Sequence, residues 1–256
     1  MGASAGAIFI TGATSGIGAA CARRFAADGR PLILLGRRAE RLDALSEALD
    51  VPVHALPLDI RDRPALEAAM RSLPEPFATI DVLVNNAGIS VGFGPPHEAD
   101  PDDWDVVVDT NIKGVLYGTH AVLPGMVARG RGHIITIGSP AARHPFPDAN
   151  VYAGTKAFVR RLSSNLRADL HGTDIRITLI EPGRTRTEVF DVRFGGDKAR
   201  AAEMFEDAVP LEPEDVAEAV HWVTTVPDRV NIDIVEMMPV AQTFAPLPVL
   251  FKRKGA

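Results

Sequence analysis

The sequence predicts an α/β fold in which one parallel sheet of about seven strands is doubly wound, with helices on both faces. Three observations carry that prediction. Short, nearly continuous apolar runs mark strands buried on both faces, as a parallel sheet requires. These runs alternate from end to end with segments of helical periodicity about ten residues or more in length, which makes βαβ units with right-handed crossovers. The first run passes directly into a glycine-rich turn that opens the first helix, which makes the fold Rossmann-type.

In chain order, residues 7–10 form the first strand and 16–28 the first helix, with Ile17, Ala20, Cys21 and Phe25 at mixed helical spacing. A strand at 32–35 precedes a helix at 39–49, whose Leu42, Leu45 and Leu49 share a face. Residues 53–56 read as a strand, 64–73 as a helix and 80–84 as a strand. The segment 101–127 is long and helical, interrupted near Asn111 and Pro124. A strand at 133–137, a helix at 150–170 and a strand at 175–180 follow. Residues 187–208 are irregular to helical and rich in charge, 212–225 helical, and 232–237 a final strand.

The 20 prolines and 22 glycines scatter at element boundaries, so the 256 residues read as one domain. A net charge of −6 argues against a nucleic-acid or membrane-surface partner, each of which demands a basic face. The single cysteine, Cys21, is expected to be a packed thiol and cannot form an internal disulfide. No apolar run approaches the roughly 18 residues that cross a bilayer, and no secretory leader is read. A cytoplasmic protein is expected. Met237 and Met238 are expected to fill the core, and the seven histidines show no metal-binding spacing.

The turn Thr11-Gly12-Ala13-Thr14-Ser15-Gly16-Ile17-Gly18 points to a dinucleotide. Gly12 permits the tight turn, Gly16 lets backbone approach a pyrophosphate, and Gly18 removes a side chain where the helix packs. The helix N-terminus offers unpaired N–H groups and partial positive charge. A carboxylate ending the second strand would hold a ribose 2′-OH; Gly36-Arg37-Arg38 stands there instead. Guanidinium groups suit a 2′-phosphate, so the residues favour NADP over NAD. Asp59 is placed to meet an adenine edge, and Asn85-Asn86-Ala87-Gly88 puts small residues and amides beside the cofactor.

Tyr152 and Lys156 stand four apart in a helix, on one face. An ammonium beside a tyrosine stabilises its phenolate, whose free pKa of about 10 is otherwise too high for a base near neutrality. Ser139, just past a strand, can hydrogen-bond a substrate oxygen as charge develops there.

Together the glycine turn, Asn85-Asn86-Ala87-Gly88, Asn111, Ser139 and Tyr152-x-x-x-Lys156 resemble the short-chain dehydrogenase/reductase family over essentially the whole chain. The resemblance implies Tyr152 as general acid/base, Ser139 polarising the carbonyl, and Lys156 lowering the tyrosine pKa and holding the nicotinamide ribose. It implies Asn111 as a kink residue supporting a water relay to Lys156. The implied NADP set is Gly12, Thr14, Ser15, Gly16, Ile17, Gly18, Arg37, Arg38, Asp59, Ile60, Asn86, Tyr152, Lys156, Pro182, Gly183, Thr185 and Thr187. Hydride transfer to nicotinamide needs no metal, and none is expected.

Within that family, Gly132-His133-Ile134-Ile135-Thr136-Ile137-Gly138-Ser139, Ile180-Glu181-Pro182-Gly183 and Val235-Glu236-Met237-Met238-Pro239-Val240 resemble the bacterial NADP-dependent 3-hydroxy acid dehydrogenases. That group acts on serine and L-allo-threonine and reduces malonic semialdehyde. The chain departs from it at Ser139-Pro140-Ala141-Ala142-Arg143-His144 and at Arg184-Thr185-Arg186-Thr187. Arg143, Arg184 and Arg186 are candidates to receive a substrate carboxylate; equally, Arg184 or Arg186 touches the cofactor or each faces water. Two rival readings stand beside a 3-hydroxy acid dehydrogenase: a broad carbonyl reductase, and an NADP-sensing regulator without turnover. Residues 187–208 are a candidate substrate lid or an ordinary surface helix. The tail at 241–256 is expected to pack across a neighbouring subunit of a homo-oligomer, a dimer or tetramer.

Overall fold

The computed structural model describes residues 6–92, 94–203, 205 and 209–243. Seven parallel strands form one sheet in the order β3-β2-β1-β4-β5-β6-β7. They are β1 (Ala7–Thr11), β2 (Leu32–Gly36), β3 (Val53–Pro57), β4 (Ile80–Asn85), β5 (Gly132–Ile137), β6 (Ile175–Pro182) and β7 (Ile234–Met237). The helices are α1 (Gly16–Ala26), α2 (Ala39–Glu47), α3 (Arg63–Arg71), α4 (Pro101–Val108), α5 (Gly114–Arg129), α6 (Asn150–Asp169), α7 (Val189–Arg193), α8 (Lys198–Glu203) and α9 (Pro213–Thr225). Predicted and observed elements agree in type and order, with ends differing by one or two residues, as frayed ends do.

Strand alternation divides the apolar side chains between two layers. Ile8, Ile10, Leu32 and Leu34 pack under α1, α2 and α9, with Phe25, Leu42, Leu45 and Val220 opposing them. Phe9, Ile33, Leu83 and Ile134 face α3, α5 and α6, meeting Leu66, Val122 and Met126. Cys21 is fully buried among the first set and its thiol is pushed up to about 12 by burial. It is the packed thiol expected.

Two corrections concern the long helical segment and the methionines. Pro124 does not interrupt α5, which runs unbroken to Arg129. Its ring frees the carbonyl of His120, an exposed position where water is at hand. The break near Asn111 is a π-turn over Asp109–Lys113. Met237 packs against the core, whereas Met238 faces a cavity and is not core filler.

Helix ends follow their local chemistry. Asp62 caps α3 by accepting from Ala65 N at 3.0 Å, and Glu212 with Asp215 forms a reciprocal cap on α9. Gly130 ends α5 in the left-handed conformation at φ 65°. The chain order reverses between β1 and β4, so a crevice opens there beyond the carboxyl ends of the strands. Among the described residues no helix is long and apolar enough to cross a membrane. The expected tail lies outside the described residues from position 244 onward.

Candidate active site

A cavity of about 870 Å³ fills that crevice, and residues at the carboxyl end of every strand line it. At one end, Gly12 turns at φ 68° and Gly16 at φ 52°, left-handed conformations that favour glycine. Gly18 does not line the cavity. A Cβ there would lie 2.3 Å from the Gly12 carbonyl oxygen and 2.6 Å from Asn86 Nδ2, so its role is to seat α1 under the turn. Asn86 Nδ2 donates to the Thr11 and Gly12 carbonyls, each at 3.0 Å.

Ser15 is the N-cap of α1 but makes no capping hydrogen bond, and no acid stands in the first turn. The N–H groups of a full-length helix therefore face the cavity without a side-chain acceptor. Arg38 reaches the same place: Nη2 donates to Thr14 Oγ1 at 2.7 Å and to Ser15 Oγ at 2.9 Å. Arg37 lines the cavity beside it. This end fits an anionic dinucleotide with an extra phosphate: open helix N–H groups, glycine backbone and two guanidinium groups. Asp59 and Ile60 also line it, and Arg61 beside Asp59 holds that carboxyl below its usual range.

At the other end, Ser139 begins a 3₁₀ turn and its Oγ accepts from Ala141 N at 3.1 Å. Tyr152 and Lys156 project from α6 into the same space. Lys156 Nζ donates to the Ile137 carbonyl at 2.9 Å and lies 5.7 Å from the Tyr152 ring centre. Burial lowers the ammonium to about 8, opposed by the charge of Glu181. Burial also pushes the Tyr152 phenol above its ordinary value, opposed by the Ser139 hydrogen bond and by the charge of Arg193. The cation acting on the phenol in the chain itself is thus Arg193, a residue beyond the Tyr152–Lys156 pair.

Asn111 lies behind the cavity wall instead of lining it. Its Nδ2 donates to Ile89 O at 2.9 Å and Thr155 Oγ1 at 3.0 Å, while Oδ1 accepts from Ile89 N at 2.8 Å. Thr155 in turn donates to the Tyr152 carbonyl at 2.8 Å. The π-turn thus aims Asn111 at the base of the tyrosine's own helix.

The three arginines proposed for a carboxylate part company. Arg143 is held in an ion pair by Glu236, and Arg186 by Glu212 at 2.9 Å, and neither lines the main cavity. Arg184 does line it, as do Pro182, Gly183, Thr185 and Thr187. Arg193, which the sequence reading did not single out, lies in the same cavity 5.9 Å from the ring centres of Phe146 and Phe190. Its guanidinium is lowered by burial to about 10, opposed by Tyr152 and Asp148. Nothing in the local sequence distinguishes Arg193 from the other charged residues of 187–208. The described part of that segment is ordered by aromatics: Phe190 stacks on Phe194 at 6.3 Å and meets Phe205 edge-on at 5.3 Å. Among the described residues no group of three or more His, Cys, Asp or Glu has the arrangement of a metal site.

The model of the short chain dehydrogenase family matches residues 6–195. The chain is 54% identical over 243 residues to an NADP-dependent 3-hydroxy acid dehydrogenase of Salmonella typhi, covering 94% of this chain and 98% of that protein. It is 46% identical over 240 residues to a serine 3-dehydrogenase of Rhizobium radiobacter, covering 94% and 96%. A solved structure of the closed form of serine dehydrogenase complexed with NADP+ superposes with a TM-score of 0.94 at 50% identity, covering 96% of this chain and 99% of that one.

Proposed function

The chain belongs to the short-chain dehydrogenase family, and from that premise we propose that it interconverts a small 3-hydroxy acid or hydroxy amino acid and its 3-oxo form. It is an NADP-dependent dehydrogenase acting on a hydroxyl group. One observation carries the substrate reading: Ser139, Tyr152 and the cation of Arg193 share one end of a cavity whose other end presents Thr14, Ser15, Arg37 and Arg38.

The nicotinamide, when bound, supplies the acceptor or donor of a hydride. The residues supply the rest. Gly12, Gly16, Ile17 and the α1 N-terminus receive the pyrophosphate, while Arg37, Arg38, Thr14 and Ser15 receive the 2′-phosphate. Asp59 and Ile60 border the adenine, and Asn86 with Gly18 keeps the turn in shape. Lys156 holds the nicotinamide ribose, and Pro182, Gly183, Thr185 and Thr187 border the nicotinamide. In oxidation the Tyr152 phenolate takes the substrate's hydroxyl proton; in reduction the phenol returns it to the carbonyl oxygen. Ser139 Oγ hydrogen-bonds that oxygen. Asn111 is a positioning residue for α6 and the water relay to Lys156. The described residues of the candidate lid cover the substrate through Val189, Phe190, Val192 and Arg193, while 204 and 206–208 lie outside the described residues. Arg193 in α7 receives the substrate carboxylate, with Arg184 alongside. The chain works in the cytoplasm as a homodimer or homotetramer; exposed Leu116, Val127 and Phe158 on α5 and α6 support association through those helices.

Initial rates with NADP+ on L-serine, L-allo-threonine, 3-hydroxypropionate and uncharged secondary alcohols of similar size test the reading. Arg193→Met is expected to raise KM for the carboxylates about tenfold or more, the scale of a charged hydrogen bond of about 1.5–3 kcal/mol. It should leave KM for the uncharged alcohols nearly unchanged. It should also move the acid limb of the oxidation profile to higher pH, because the phenolate is the active form and the guanidinium opposes the rise of the phenol pKa. Wild-type activity confined to uncharged alcohols would keep the family and sink the hydroxy-acid assignment, favouring a broad carbonyl reductase.

A further inference from the structure

Glu188 is the N-cap residue of α7, the helix that brings Phe190 and Arg193 to the substrate end. Its carboxylate does not serve α7. It reaches back to the cofactor end, where Oε2 accepts from Arg38 Nη1 at 2.9 Å and Oε1 from Arg41 Nη1 at 2.7 Å. The opposite edge of the Arg38 guanidinium is spent on Thr14 and Ser15: Nε to Thr14 at 3.1 Å and Nη2 to both hydroxyls. A carboxylate therefore sits among the groups assigned above to the 2′-phosphate. Burial tends to raise that carboxyl, but Arg41 and Arg38 more than offset it and hold it down at about 2. It is anionic at any working pH.

A ribose 2′-phosphate carries about 1.5–2 negative charges at neutral pH. Placed on Arg38 beside an ionised Glu188, it meets like charge at a few ångströms, which disfavours joint occupancy. The two hydroxyls on the far edge of Arg38 are neutral and yield easily. The ion pair with Glu188 is the contact that must change.

We propose that Glu188 is a built-in stand-in for the 2′-phosphate: it holds Arg38 and Arg41 in place, and the incoming phosphate displaces it, adding Arg41 to the phosphate subsite and freeing the N-terminus of α7. The inference rests on the NADP reading. It follows that the phosphate contributes less net affinity than its guanidinium contacts would otherwise provide. It follows also that a cofactor without the 2′-phosphate leaves α7 tethered, so the substrate-end helix responds to the cofactor's phosphate.

The test is calorimetric titration of the full chain with 2′,5′-ADP and with 5′-AMP, at low and moderate salt, for wild type, Glu188→Gln, Glu188→Ala and Arg41→Gln. Both Glu188 variants are expected to bind 2′,5′-ADP roughly two- to fivefold tighter, the scale of a partly exposed ion pair, with 5′-AMP unchanged. Arg41→Gln should weaken 2′,5′-ADP selectively. Unchanged or weaker binding of 2′,5′-ADP in both Glu188 variants would overturn the proposal and make Glu188 an organiser of Arg38. Failure of the NADP reading shows separately, as a wild type that does not prefer 2′,5′-ADP over 5′-AMP.

Discussion

Tyr152→Phe is expected to lower kcat by about 10³-fold while NADPH binding stays within about twofold, since a positioned acid/base contributes about 10²–10⁴. The phenol is the titratable group that Ser139 hydrogen-bonds inside the cavity, and its ring, 5.7 Å from the Lys156 ammonium, keeps the same shape in phenylalanine. Steady-state rates in both directions, with NADPH titration by fluorescence, separate the two effects. Retained turnover would remove Tyr152 from its role.

Arg160→Met is expected to cost about 3–5 kcal/mol of stability, the range for stripping one partner from a buried ion pair. Glu181 in β6 is wholly buried and ion-pairs with Arg160 of α6, while its Oε1 finds no hydrogen-bond partner among the described residues. Without the guanidinium, the carboxylate is left buried with only the Lys156 ammonium to answer it. Urea denaturation followed by circular dichroism measures the loss. The double variant Arg160→Met with Glu181→Leu should recover most of it, because two apolar groups replace a buried pair at little cost. Its active site should nevertheless change. Glu181 raises the Lys156 ammonium against a burial effect that leaves it at about 8. Removing that charge lowers the ammonium further, so activity should fall away at lower pH on the alkaline side than in wild type. A single variant as stable as wild type would show that Glu181 is not the structural liability its burial makes it.

The aspects of the molecule legible in the sequence are those written in local pattern. Strands such as Leu32–Gly36 are short apolar runs, and α1 follows a glycine turn whose φ angles, 68° and 52°, glycine alone accepts comfortably. The sheet followed from these because βαβ crossovers have one hand and strands buried on both faces have one period. Tyr152 and Lys156 were legible for the same reason: four residues in a helix make one turn, whatever the rest of the chain does. Pro124 misled because the cost of a proline depends on whether its freed carbonyl meets water, which its neighbours in sequence do not state.

The fates of the charged side chains were settled elsewhere. Arg143 and Arg193 are indistinguishable as letters, yet Glu236 of β7 takes the first and α7 carries the second to the phenol. Glu188 reads as one more acid in a charged stretch until α7 sets its carboxylate against Arg38, 150 residues away in the chain. By itself, the sequence determined the sheet, the glycine turn and the shared helix face of Tyr152 and Lys156, since each rests on backbone geometry over a few residues. Only the tertiary structure decided which cations line the cavity and which anion sits against Arg38. Charges have no period, and an ion pair forms wherever folding brings distant segments within a few ångströms.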